Sequence, residues 1–192
     1  MTRSSVRVRP ATLSDLPSLM DFAEELLDPR SLRVGIRAPL PERVADVLAD
    51  LERRLVVAVD DQDQPLGMAL LWLGPSGALL DVPAVHLSST VVPDRHRRRG
   101  AGRALLASAV AYADEVGAER VVVTVASGAR DANRFYARLG LAPVAVRRIA
   151  PVSVLRRNLA GEAAAPDTVR RRSLRQLAAG RRTRESPVLP NG

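Results

Sequence analysis

Between Ser88 and Leu106 the chain reads S-S-T-V-V-P-D-R-H-R-R-R-G-A-G-R-A-L-L, and five arginines surround two glycines there. Thr90, Val91 and Val92 end a β-branched run, and Pro93 has no N–H for a sheet ladder, so a strand stops at this point. Gly100 and Gly102 frame a bend, after which Ala104, Leu105, Leu106, Ala109 and Val110 take up helical spacing. A helix start of this kind offers unpaired N–H groups and the positive end of a dipole, which suit a phosphate or pyrophosphate. Arg95, Arg97, Arg98, Arg99 and Arg103 crowd the same residues, an arrangement the dipole disfavours unless an anion sits among them. Two familiar phosphate loops do not fit. No Gly-Lys-Ser/Thr ending makes a P-loop, and Leu105 stands where the dinucleotide fingerprint has its third glycine.

Composition narrows the remaining chemistry. There is no cysteine, which removes a disulfide framework, a Cys-based zinc site and a thiol nucleophile, and the chain has only two histidines, His86 and His96. Metal catalysis is therefore not expected. At 192 residues and 46% hydrophobic content the chain can bury one core, with room for an appendage. No apolar run reaches the roughly 18 residues of a membrane span, and the start M-T-R-S-S-V-R-V-R lacks a signal peptide's apolar centre, so a cytoplasmic protein is the expectation. The formal charge is +8 and every basic residue is arginine, which reads as compositional bias. Residues 160–192 carry 7 of the arginines against 3 acidic residues, making the tail disproportionately basic.

The elements that must position the loop can be read in order. Val6-Arg7-Val8-Arg9 alternates as a first strand, and Thr12-Leu13-Ser14-Asp15 offers caps for a helix to about Leu27, with Leu16, Leu19, Met20, Ala23 and Leu27 on its core face. Pro41-Glu42 opens a second helix carrying Val44, Val47, Leu48 and Leu51. Leu55–Val59 and Leu66–Leu73 read as a hairpin around a polar turn, Gly74-Pro75-Ser76-Gly77 as the next turn, and Val82–Val92 as the strand that delivers the chain to the glycine loop. A helix to Val116 follows, then Arg120–Val125 as a buried parallel-type strand. A helix capped by Ser127 or Asp131 runs to Leu139 with Gly140 as its terminal glycine, and Val144–Arg148 and Val152–Arg157 read as two last strands. The predicted order is β-α-α-β-β-β-α-β-α-β-β. Beyond it, residues 161–166 read as a linker, Asp167-Thr168 as the cap of a short marginal helix ending at Gly180, and Arg181–Gly192 as disorder.

With this order in hand, two motifs fall into register. Arg97-x-x-Gly100-Ala101-Gly102 after a strand ending Val-Val-Pro resembles the acyl-CoA-binding motif of the GNAT superfamily of N-acetyltransferases. Ala132-Asn133-Arg134-Phe135-Tyr136-Ala137-Arg138-Leu139-Gly140-Leu141 resembles the same family's A-x-x-F-Y-x-x-x-G-F signature, and with the elements in the family order the resemblance covers most of residues 1–159. The resemblance implies an α/β (α+β) fold with a mixed, mostly antiparallel central sheet flanked by helices and strands splayed at the acyl-CoA site. The acyltransferase domain would be residues 1–159 and the basic tail 160–192.

The resemblance also assigns roles. Main-chain groups of Thr90, Val91 and Val92 would meet the acyl and pantetheine parts of acetyl-CoA, and the backbone of Arg97, Arg98, Arg99, Gly100, Ala101, Gly102 and Arg103 its pyrophosphate. Amine attack on a thioester needs a deprotonated amine, donors for the developing oxyanion and a proton for the leaving thiolate. N–H groups near Val92 would supply the donors and the Tyr136 phenol the proton. Members often take the amine's proton with a glutamate on the strand entering the loop, but Pro83 through Pro93 contain no Asp or Glu. His86 stands on that strand, and imidazole is the side chain that changes charge near neutral pH. A water relay through Ser88, Ser89 or Asp81 is the alternative base. A second departure is Ala129, where members often carry an asparagine.

The implied activity is transfer of an acetyl group from acetyl-CoA to a primary amine in a ternary complex. The implied acceptor is a small-molecule or protein amine, and a homodimer is compatible with the sequence. The Arg30–Leu40 loop lies where the family grips acceptors, so Arg33 and Arg37 would meet an acidic group there; the other reading is a solvated connector. Two other classes compete. The missing acidic base suits a catalytically weak acyl-CoA-binding regulatory module, and the arginine-rich tail suits a nucleic-acid-associated protein. The nucleic-acid reading is the weakest, because aromatics are just 3% of the chain and no base-stacking pattern occurs.

Overall fold

The first strand and first helix are joined by one ion pair. Arg9 on β1 (Arg7–Pro10) grips Asp15 with both guanidinium NH₂ groups at 2.8 Å, and the Asp15 carboxylate also accepts from the Thr12 N–H at 2.8 Å. Thr12 and Asp15 form a reciprocal capping box around a 3₁₀ turn, Leu13–Asp15, that runs into helix α1, Leu16–Leu26. The paired guanidinium, opposed by burial, holds the Asp15 carboxyl at about 2, below its ordinary 3.8. Asp15 is 5% exposed, so this pair is little screened. A depressed carboxylate pKa stabilises the fold above the ordinary value, and that contribution is lost as pH falls toward about 2. Asp15→Asn is accordingly expected to cost about 2 kcal/mol in urea denaturation at neutral pH. The difference from wild type should shrink in acid; a difference unchanged at pH 3 would contradict the linkage.

The computed structural model describes residues 5–26, 40–77, 80–126 and 128–163. Helix α2 is Leu40–Ala49, and strands β2 (Arg53–Val59), β3 (Pro65–Gly77) and β4 (Leu80–Val91) follow. Helix α3 (Ala101–Val116), β5 (Arg120–Val123), α4 (Arg130–Arg138) and α5 (Val152–Ala163) complete the order. The five strands form one sheet in sequence order, antiparallel except for the parallel pair β4–β5. Period-2 alternation gives the sheet two buried faces. Val56, Ala58, Ala69, Leu71, Val85 and Leu87 face α3 and the α4 residue Tyr136, while Val57, Val59, Met68 and Val91 face Leu19, Phe22 and Ala23 of α1. Each fully buried leucine among these stabilises the fold by about 2 kcal/mol relative to exposure. Helix α3 is further tied to β2 by Arg54, which meets Glu115 through two 2.7 Å bonds and lies over the Tyr112 ring at 3.9 Å. No helix among the described residues is long and apolar enough to cross a membrane.

Several local expectations are corrected. Gly74-Pro75-Ser76-Gly77 is strand and not turn, because Pro75 lies opposite Pro83, where neither residue has an N–H to leave unpaired. Helix α4 is preceded by Ala129 as its cap residue; Asp131 lies in its first turn, where a carboxylate suits the dipole, and Ser127 is outside the described residues. β5 stops at Val123, two residues before the predicted end. The two last predicted strands do not form. Residues 142–151 have no regular structure, and Val144, Val146 and Ile149 are largely exposed. Residues 152–163 are helical, since Val152, Leu155 and Leu159 are spaced i, i+3, i+7 as well as in a strand-like run. Gly161 to Ala163, read as the start of a linker, are that helix's last turn. The chain divides into Met1–Val144, which holds the sheet, and Ala145–Gly192, whose described element is α5. The predicted tail helix 167–180 and nearly all of the Arg30–Leu40 loop lie outside the described residues.

Candidate active site

The sheet opens where the sequence places its chemistry. β4 and β5 pair from Ala84↔Arg120 to Leu87↔Val123, and the last link is the Thr124 N–H donating to the Leu87 carbonyl at 3.0 Å. β4 continues to Val91 while β5 has ended at Val123, so from Ser88 to Val91 the strand has no β5 partner on the side away from β3. Two features bend β4 there. Ser89 has φ 49°, in the left-handed region, and the pairing with β3 shifts register between Met68 and Leu70. Gly67 permits the close approach: a methyl on it would stand 2.5 Å from the Val91 carbonyl oxygen.

Past the strand, a 3₁₀ turn, Asp94–His96, leads into the loop. Arg98 and Gly100 both hold positive φ, 62° and 96°, and the first helical bond of α3 is from the Ala104 N–H to the Gly100 carbonyl. The amides of Ala101, Gly102 and Arg103 precede that bond and are free of intrahelical partners. Gly102 has open space around the position a side chain would take. The arginines divide into two sets. Arg97 pairs with Asp94 at 2.8 Å, Arg99 with Asp60 at 3.6 Å and Arg95 with Glu25 at 3.9 Å. Arg98 and Arg103 are exposed and have no acidic partner among the described residues.

Tyr136 reaches this stretch of β4 from α4. The A-N-R-F-Y spacing sets Phe135 and Tyr136 edge to face, 5.1 Å apart, and the tyrosine ring is 8% exposed. Burial pushes the phenol above its ordinary 10.0, and the Thr90 side chain opposes that rise. Thr90 Oγ1 is buried and makes no hydrogen bond of ordinary length and angle, and the Tyr136 phenol is its neighbour. Thr90 and Tyr136, distant in sequence, thus meet beyond the last β4–β5 pair.

His86 lies on the opposite face. It is one residue before the last pair, its ring stacks on Trp72 with centroids 3.9 Å apart and planes 9° from parallel, and Nε2 is 3.1 Å from the Pro75 carbonyl. Val85 and Leu87, its neighbours, point to the α3 and Tyr136 side. The structure therefore joins Thr90 to Tyr136 and sets His86 across the sheet from them. Sequence reading missed Gly67, Trp72, Gly74 and Pro75. Only the single tryptophan beside a Gly-Pro pair offered a signal, because cross-strand register is not visible in one strand.

The model of the Acetyltransferase (GNAT) family matches residues 20–141. The chain belongs to this family. It is a family of acetyltransferases whose members generally use acetyl-CoA as donor and act on amine acceptors. Similar solved structures include a transcriptional regulator from Bacillus halodurans, 21% identical with a TM-score of 0.63, over 77% of this chain and 99% of that one. An acetyltransferase from Trypanosoma brucei is 19% identical with a TM-score of 0.58, over 77% of this chain and 100% of its own. Glucosamine-6-phosphate N-acetyltransferase from Arabidopsis thaliana is 12% identical with a TM-score of 0.59, over 77% and 99%. At these identities the likeness concerns the fold, and it agrees with the mixed five-stranded sheet flanked by helices. No curated protein matches the chain in sequence.

Proposed function

We propose that this GNAT protein is an acetyl-CoA-dependent N-acetyltransferase that passes the acetyl group directly to a primary amine in a ternary complex. The observation that carries the reading is the buried, unsatisfied Thr90 hydroxyl beside the Tyr136 phenol, on the stretch of β4 that β5 leaves unpaired past Leu87. The residues present fit acetyl-CoA. Arg98, Arg103 and the free amides from Ala101 to Arg103 would hold its pyrophosphate, and the open face of Gly102 leaves room for it. Arg97 and Arg99, already paired to carboxylates, shape the loop. When bound, acetyl-CoA supplies an activated acyl group on a thiol leaving group.

The chain's own residues then divide the proton work between the two faces of the sheet. His86 takes a proton from the amine as the nitrogen bonds to the acyl carbon, and Tyr136 gives its proton to the sulfur as the carbon–sulfur bond breaks. Main-chain N–H groups of β4 beyond Leu87, where β5 has ended, would supply donors for the developing oxyanion. Because burial raises the phenol's pKa, Tyr136 stays protonated throughout the neutral range, as a donor must. The acting unit is residues 1–159, and the basic tail is not needed for turnover.

Direct attack has a kinetic signature. Initial rates at varied acetyl-CoA and amine should give intersecting double-reciprocal lines; parallel lines would indicate an acyl-enzyme and overturn direct transfer. His86→Ala is expected to lower kcat by about tenfold, less than the usual loss of a general base because water can relay the proton. An unchanged rate in that variant would move the base role to the water relay.

A further inference from the structure

Trp72 and His86 are direct cross-strand partners on β3 and β4. Their rings lie almost parallel at 3.9 Å, so the imidazole cannot turn about its χ2 without breaking the stack. The indole lies back along its own strand. A methyl on Gly74 would stand 2.9 Å from Trp72 Cε3 and closer still to Cζ3, so only glycine there admits this indole position. One residue further, the Pro75 carbonyl lies 3.1 Å from His86 Nε2. Its cross-strand partner Pro83 has no N–H to offer it, which leaves that carbonyl open to the ring. A carbonyl oxygen only accepts, so Nε2 must carry the hydrogen.

We propose that Trp72 is a positioning residue: its indole and the Pro75 carbonyl together hold His86 as the Nε2–H tautomer, with Nδ1 as the one ring nitrogen able to take a proton. This deepens the reading of His86 as base and rests on it for its catalytic part. The other histidine provides an internal contrast. Arg95 Nε donates to His96 Nε2 at 3.2 Å, so the neutral His96 ring carries its hydrogen on Nδ1, the opposite tautomer.

Long-range ¹⁵N–¹H NMR of the ¹⁵N-labelled full chain at about pH 8, where an ordinary imidazole is neutral, reads both rings directly. His96→Asn assigns the two sets of signals. Expected in the wild type are a protonated Nε2 and an unprotonated Nδ1 for His86. In Trp72→Ala the His86 signals should average between tautomers and kcat fall roughly tenfold, with KM for acetyl-CoA unchanged. Trp72→Phe, which keeps an aromatic face, should restore most of both. An Nδ1–H ring for His86 in the wild type would overturn the proposal, and so would a Trp72→Ala variant with unaltered spectrum and kcat. A normal rate in His86→Ala beside an intact Nε2–H spectrum would remove the base reading and leave the geometry standing. An inactive His86→Ala with an Nδ1–H spectrum would remove the tautomer lock alone.

Discussion

Tyr136→Phe is expected to lower kcat by about 10²-fold or more while leaving the affinity for acetyl-CoA nearly unchanged. The variant keeps the ring that packs beside Phe135 under the sheet and loses only the hydroxyl that faces Thr90. The fold should tolerate it, since the ring and its packing in the core are kept and a single hydroxyl is lost. A companion expectation concerns pH. With the phenol raised by burial, the wild-type rate should show no alkaline loss from Tyr136 below its ordinary 10.0. The same shift makes the native state favour the neutral phenol, so stability is intact below the ordinary pKa and declines as pH rises through the raised one. Stopped-flow or steady-state thiol release measures the first, and alkaline denaturation the second. A Phe variant with wild-type kcat would remove the phenol from the chemistry.

Gly102→Val should cut acetyl-CoA affinity by roughly 10²-fold or more, the loss expected when a side chain occupies the space of a charge-assisted pyrophosphate contact. The choice of residue matters. Nothing lies within 4 Å of the Gly102 side-chain position, so the protein itself has room for valine and the variant should fold. Gly100 is a poorer probe because its φ of 96° strains any side chain, confusing loss of fold with loss of site. Gly117→Ala is the matched control, since Gly117 ends α3 at φ 68° and lies at the helix's other end. It should lower the melting temperature and leave affinity alone. Calorimetric titration distinguishes them, and an unchanged affinity in folded Gly102→Val would detach the loop from the pyrophosphate.

The loop, the helix after it and the Phe-Tyr helix were legible because each rests on local pattern: glycines at a bend, 3.6-residue periodicity and a terminal glycine. Gly140, at φ 88°, ends α4 as its position predicts. Tyr136 and Thr90 could each be singled out, but not the meeting of their side chains, since it depends on how far β5 extends beside β4. Likewise His86 was visible as an imidazole on a strand, whereas the Trp72 stack and the Pro75 carbonyl belong to the register of β3. The sorting of arginines into paired and free also needed the fold, because Asp60 and Glu25 come from other elements. The misread stretch 152–157 shows the converse limit. Its apolar residues satisfy a strand-like and a helical spacing at once, and local sequence offers nothing to arbitrate.

The central claim is direct acetyl transfer to an amine, and a single-turnover experiment tests it most directly. Enzyme preloaded with acetyl-CoA would be mixed with a panel of primary amines, with free thiol followed by colour and products by mass spectrometry. The account predicts one thiol released per acetylated amine, no release without amine, and no acetyl group left on the protein. Tight binding of acetyl-CoA with neither thiol nor acetylated amine for any acceptor would contradict it and make the chain an acyl-CoA-binding module.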